Sequence, residues 1–316
     1  MDIANVTGRA GKPRTTMRRS LAVSATLTAS LLLGACAASS SPAESAVTAE
    51  ATEAPPESSA LTGEHIQEWV ANTEWSFAPD GLLEPVTLIF ENGTASDDAM
   101  RTYEIGDGVE SDANDDGIPD LAIPVSQADG NGYLELWYVW LGRDAAGVDS
   151  DAAIADQVIY PIARTTRCGD VVHEVRPTDG GFSIDQTLWM PHTDQDRDCS
   201  SGGTGTQIRD ITVMTIDGTA YPIQTAPIDA WGGVCPRSDW LDGIPDNAID
   251  GRAAPPSSAP AVISPGENVA LYELPAATLV TADGARFFGF QPEELAPATQ
   301  DEADDIPVRM HCAFAG

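Results

Sequence analysis

The chain has 316 residues and carries 16 basic against 49 acidic side chains, a formal net charge of −33. Phosphate polymers are held by basic patches, so this balance excludes nucleic-acid binding and argues against adhesion of the folded part to anionic lipid. The only lysine is Lys12, which removes Schiff-base chemistry, phosphate-loop lysines and lysine–asparagine cross-links from consideration.

Arg18 and Arg19 precede an uncharged apolar run, residues 21–33, that ends in Leu33, Gly34, Ala35 and Cys36. A positive flank, a short apolar run and small residues before a cleavage point make a signal-peptide layout, and the run is too short to span a bilayer. The Leu-Gly-Ala-Cys ending resembles the lipobox of bacterial lipoproteins. The resemblance implies removal of residues 1–35 and a diacylglycerol thioether on Cys36. The protein would then sit lipid-anchored on the extracytoplasmic face of the cell membrane, and two acyl chains on one residue anchor where one does not. Met17 is an alternative start to Met1. Cleavage would remove Arg9, Lys12, Arg14, Arg18 and Arg19 and leave the chain more acidic still. The preference for Arg over Lys, with abundant Ala and Gly, points to a GC-rich, actinobacterial source.

Residues 36–60 are mostly Ala, Ser, Glu, Pro and Thr without an aromatic. Such a segment buries too little apolar area to offset its ordering entropy, so it reads as a disordered tether. Folding is expected from Leu61. Thr62 caps a short helix whose Ile66, Trp69 and Val70 share one face. Strands are expected at 85–90, 102–105, 121–125 and 133–140, with turns at 79–81, 91–94 and 127–132. The aromatic-rich run 133–140 has the composition of a central strand, and Pro124 places its end of the preceding strand at a sheet edge. Short apolar runs at 158–163, 171–175, 182–189 and 211–216, parted by Asp/Gly turns, extend the antiparallel pattern through the 61–249 main domain. Residues 250–266, rich in Pro, Ala and Ser, read as a linker or surface crossing. The block 267–316 reads as a small β subdomain with strands at 270–274, 278–282 and 286–290. The fold class expected is mainly β: an antiparallel body with a short N-terminal helix, not a full propeller.

Besides Cys36 there are Cys168, Cys199, Cys235 and Cys312, an even number in an exported chain, which reads as two disulfides. Of three possible connectivities, Cys168–Cys199 with Cys235–Cys312 needs the simplest topology. No CxxC spacing or paired histidine supports zinc instead.

The one stretch whose spacing specifies chemistry is 112–120. Asp112, Asn114 and Asp116 alternate, Gly117 permits a sharp turn, Ile118 offers a carbonyl and Asp120 closes the ring, the 1-3-5-7-9 ligand order of an oxygen-rich calcium site. Carboxylates this close repel without a cation, by roughly 4 kcal/mol per pair at 4 Å and an effective dielectric of 20. Position twelve is Ile123 where an EF-hand needs a bidentate Glu, and flanking helices are missing. Asp112, Asn114, Asp116, Gly117, Asp120 and Leu121, followed by a Gly-rich turn and Trp137, Tyr138 and Val139, resemble the calcium hairpin of FG-GAP repeats in integrin α-chains and their bacterial relatives. The resemblance covers one copy, so it implies a calcium-clamped β-hairpin and not a propeller. Asp194, Asp196 and Asp198 alternate too, but lack the Gly and the ninth-position carboxylate.

No HExxH, GxSxG, GxGxxG or phosphate loop occurs. His65, His173, His192 and His311 show no identifiable partner, His192 near Asp194 being the least poor suggestion. The reading is a monomeric, lipid-anchored envelope protein, a non-catalytic module for a protein or carbohydrate ligand with calcium as its cofactor. The alternatives are a secreted hydrolase whose site is assembled from distant residues, or a purely structural envelope protein.

Overall fold

The computed structural model describes residues 61–144, 152–189, 194, 196–235, 251–263, 269–273, 278–281, 286–292 and 311–315. The leader, the tether with Cys36, and His192 lie outside the described residues.

Helix α1 (Gly63–Val70) opens the fold. Thr62 caps it by accepting the His65 amide at 3.4 Å, and the Glu110 carboxylate takes the Gly63 amide. Both acceptors satisfy first-turn donors that have no partner inside the helix. The Trp75 indole then donates to the Val70 carbonyl at 2.8 Å, closing the other end. Strands β1 (Glu74–Phe77) and β2 (Val86–Ile89) pair as a two-stranded ribbon.

A seven-stranded antiparallel sheet follows, built from β3 (Thr94–Ser96), β4 (Thr102–Ile105), β5 (Val109–Ser111), β6 (Asp120–Asp129), β7 (Gly132–Gly142), β8 (Ala155–Gln157) and β9 (Ala163–Thr166). The long pair β6–β7 is its centre. β4 and β5 lie in tandem along one side of β6, and β8 and β9 in tandem along the far side of β7. Period-two alternation sends Leu121, Ile123, Val125, Leu136, Tyr138 and Trp140 to one face, where they meet Ile66, Val70, Trp75, Phe77 and Phe90. The opposite face carries Ala122, Val139 and Trp137 into a second core.

That second core is shared with a five-stranded antiparallel meander, β10 (Val171–Thr178), β11 (Gly181–Leu188), β12 (Gly205–Ile216), β13 (Thr219–Ala226) and β14 (Ala230–Trp231). Phe182, Ile184, Ile211 and Val213 point inward from it. The C-terminal part forms another five-stranded sheet, ordered β16 (Ala261–Ile263), β15 (Gly251–Arg252), β19 (His311–Ala315), β18 (Arg286–Pro292) and β17 (Val269–Glu273), with a helical turn α2 (Thr278–Thr281). Trp231 meets Tyr160 and Phe314 edge-on, each with ring centres 5.3 Å apart, so β14 and β19 belong to one core.

The mainly β, antiparallel expectation holds, and the described residues form no closed barrel or propeller. Both expected disulfides form: the Cα atoms are 4.4 Å apart in Cys168–Cys199 and 6.0 Å in Cys235–Cys312. Three local expectations change. Residues 278–281 are a helical turn rather than a strand, held by the Leu279 amide on the Leu82 carbonyl at 2.9 Å. Pro124 is not at an edge, because β6 is paired on both sides. Its carbonyl accepts the Gly106 amide at 2.9 Å, so its missing N–H faces the break between β4 and β5, where no ladder bond is lost. Gly106 is required there, since a Cβ would stand 2.8 Å from the Pro124 ring. Finally, the described part of 250–266 is packed: Ala253 and Ala254 are fully buried and β15 pairs with both β16 and β19.

Candidate metal centre

The loop 112–120 joins β5 to β6. Asp112 accepts the Asp116 amide at 3.1 Å and the Gly117 amide at 2.8 Å. Asn114 Oδ1 accepts the Asp116 amide at 3.2 Å, and Asp116 Oδ1 accepts the Ile118 amide at 2.8 Å. These are successive Asx turns, in which a short polar side chain substitutes for backbone pairing. Gly117 sits at φ +81° with nothing within 4 Å of a built Cβ, so glycine is needed there for conformation and not for space. Asp115 shares the left-handed region at φ 58°.

Asp120 differs from the other loop carboxylates. It is fully buried, and its two oxygens accept the Ala113 amide at 2.8 Å and the Gly142 amide at 2.9 Å. Burial pushes its pKa up to about 7; the two amides pull the other way, and the Asp116 and Asp112 charges add to the rise. Ala113, pinned by Asp120, is itself buried, and its carbonyl accepts the Val213 amide and the Thr212 hydroxyl, each at 2.7 Å. Ser111 adds a bond to the Thr178 carbonyl at 3.0 Å. The loop therefore ties the seven-stranded sheet to β10 and β12 of the meander.

The donor set fits a hard cation. Side-chain oxygens of Asp112, Asn114 and Asp116, the Ile118 carbonyl and the Asp120 carboxylate are all oxygens, and each amide-bound carboxylate oxygen retains a second lone pair. The five predicted residues thus fall on one loop. Among the described residues, however, no three His, Cys, Asp or Glu side chains converge into a ready metal cage. Of the five expected ligands, Asn114 and the Ile118 carbonyl are not of those side-chain types.

The second acidic run does not converge. Asp194 is buried and accepts the Thr204 amide at 2.9 Å and hydroxyl at 2.8 Å, whereas Asp196 and Asp198 are exposed. The three described histidines sit on separate elements: His65 on α1 beside the Thr62 hydroxyl, His173 on β10 beside Thr187, and His311 on β19 against Gln224 at 2.8 Å.

Two buried arginines and one half-buried glutamine escaped sequence reasoning. Arg164 pairs with Asp170 through its Nε at 3.1 Å and its Nη2 at 2.5 Å, and donates to the Asp80 carbonyl at 3.1 Å. Arg209 donates to the carbonyls of Gly232, Gly233 and Ile162. Gln157 exchanges hydrogen bonds with the main chain of Ser76, at 2.7 and 2.9 Å, and so covers the edge of β1 as another strand would. The one available signal was an arginine within an apolar run of a chain so poor in cations.

Compared with protein families, curated proteins and solved structures, the chain matches none.

Proposed function

We propose that the protein is an exported, lipid-anchored module of the cell envelope, non-catalytic, whose β body is clamped by calcium on the loop 112–120. Asp112, Asn114, Asp116, the Ile118 carbonyl and Asp120 would hold the ion, which would neutralise the loop and fix its shape. The observation that supports a structural rather than a reactive role is the bond from Val213 to the Ala113 carbonyl at 2.7 Å: a stiffened loop holds two sheets together. Calcium outside the cell is abundant enough for weak sites of this kind. Acylated Cys36 would supply the bilayer attachment, and no helix among the described residues is long and apolar enough to cross a membrane.

Two experiments test this reading. Calcium at about a hundredfold over its Kd should stabilise the chain by about 2.7 kcal/mol and raise its melting temperature by several degrees. Asp116→Ala should abolish the rise; an unchanged melting temperature with calcium in the parent chain overturns the metal. Palmitate labelling in expressing cells should vanish in Cys36→Ser, and labelling that persists overturns the anchor.

A further inference from the structure

The turn at 91–94 begins a hairpin that does not close. Glu91 and Thr94 exchange main-chain bonds of 2.9 and 3.2 Å, and Asn92 and Gly93 sit at φ 51° and 78°, the primed two-residue turn of a hairpin. Continued, this register would set Ile89 opposite Ser96. Instead β2 leaves with β1 and β3 leaves with β4. A groove of about 660 Å³ lies at this divergence, bounded by Ile89 and Glu91 and floored by β3, β4 and β6, with Thr94, Ser96, Thr102 and Glu104 among its lining residues.

Beside this groove, β2 and β3 each carry main-chain groups on the edge where they part. The Ser76 N–H and C=O are taken by Gln157, and the Ala78 N–H by the Tyr138 hydroxyl at 2.9 Å, all on the side of β1 away from β2. The Phe90 amide reaches back to the Thr73 carbonyl at 3.0 Å. Alternation then places the N–H and C=O of Thr87 and Ile89, opposite Ser76 and Glu74, on the outer edge of β2. On β3, the bonds from Ile105 to the Gly93 carbonyl and from Asp97 to the Arg101 carbonyl, 2.9 and 3.2 Å, fix the phase that points the Ser96 N–H and C=O outward. These groups of Thr87, Ile89 and Ser96 meet no partner among the described residues, and Ile89 is 69% exposed.

We propose that this groove is a strand-acceptor site that takes a short, extended, basic segment of a partner protein as an added strand beside β2. The four residues of β2 offer about 13 Å of edge, enough for a strand of similar length. The main-chain groups supply affinity in any sequence, and the charge selects among sequences. Glu91 and Glu104 line the groove and no lining residue is basic. The same charge argues against other occupants. The tether 36–60 carries Glu44, Glu50, Glu53 and Glu57 with no basic residue, and a second copy of a chain of net charge −33 is repelled. The site gives the envelope module a partner class, yet needs neither calcium nor the anchor, so its failure leaves the tests of those two untouched.

The test titrates a capped heptapeptide of alternating lysine and valine into the full chain. Saturable binding should come with hydrogen-exchange protection of the Thr87 and Ile89 amides. A twin peptide N-methylated at alternate amides should bind about tenfold more weakly or less, because it cannot complete the edge bonds. Thr87→Pro should weaken the parent peptide to a similar degree with an unchanged melting temperature, since a proline whose missing N–H faces outward is tolerated on an edge strand. Glu104→Gln should weaken it severalfold. Equal binding of the N-methylated twin, equal binding of a twin with glutamate in place of lysine, protection elsewhere than β2, displacement by chito-oligosaccharides, or no binding at all overturns the proposal.

Discussion

Asp120 holds Ala113 in place: its buried carboxylate accepts the Ala113 amide at 2.8 Å, while the Ala113 carbonyl accepts the Val213 amide at 2.7 Å. One residue thus connects the end of the acidic loop to the centre of the meander. Truncation at Asp120 would leave two buried amides, those of Ala113 and Gly142, without acceptors. Asp120→Ala should therefore cost about 2–4 kcal/mol in urea unfolding. Its signature is regional: exchange at Val213 should accelerate before exchange at Val125, which lies in the other core. Uniform acceleration would mean that Asp120 does not join the sheets.

The two disulfides should differ in what they hold. Cys168–Cys199 closes a span of 31 residues and Cys235–Cys312 one of 77, for which chain entropy gives about 4 and 4.5 kcal/mol. Cys312 is also fully buried beside Phe314, so its loss adds a packing defect. Replacing Cys235 and Cys312 together by alanine should destabilise more than replacing Cys168 and Cys199, as read by denaturant midpoint under oxidising conditions. The reverse order would place the C-terminal sheet outside the cooperative core.

Much of this arrangement was written locally. The alternation at Leu121, Ile123 and Val125 and at Leu136, Tyr138 and Trp140 is a period-two signal that needs no partner to be read. The Asp112–Asp116 spacing is legible for the same reason. What decided the misread segments was remote. Pro124 suits an inner strand because β4 and β5 break beside it. Residues 278–281 have strand-like composition, yet Leu279 is fixed by a carbonyl at Leu82. The Ala residues at 253 and 254 look like linker until a core closes on them. The partner of Ala113 lies about a hundred residues away at Val213, beyond any pattern in the loop itself.

Asp97 organises the β3–β4 turn that leads out of the groove. It accepts the Ala99 and Arg101 amides at 3.0 Å each, the Arg101 Nε at 2.6 Å and the Tyr103 hydroxyl at 3.0 Å. The bond from the Arg101 guanidinium, foremost, holds its pKa below the ordinary 3.8. A lowered carboxylate pKa stabilises the fold above the unfolded value and loses that contribution as pH falls through the folded one. The Ala99 and Arg101 amides should stay protected at the ordinary carboxylate pKa and lose that protection only as the pH falls well below it, whereas in Asp97→Asn their protection should not depend on pH across this range. Protection that ignores pH across this window would show that the carboxylate charge plays no part in the turn.

Arg209 is a buried cation that works through carbonyls. Its guanidinium donates to Gly232 at 3.2 Å, to Gly233 at 3.1 Å and to Ile162, drawing the segment after β14 onto β12. Burial lowers its pKa to about 10, so it stays charged at neutral pH. Arg209→Met keeps the length and apolar stem but leaves three buried carbonyls without a donor, at an expected cost of about 3–5 kcal/mol. Arg209→Lys should recover less than half of that, because a single ammonium cannot reproduce a planar fork reaching Ile162 on one side and the two glycines on the other. Denaturant unfolding of the two variants separates the explanations. If Lys restores full stability, charge alone matters; if Met is as stable as the parent, the carbonyls find other donors and the fork is dispensable. Loss in both, larger in Met, is the result that geometry demands.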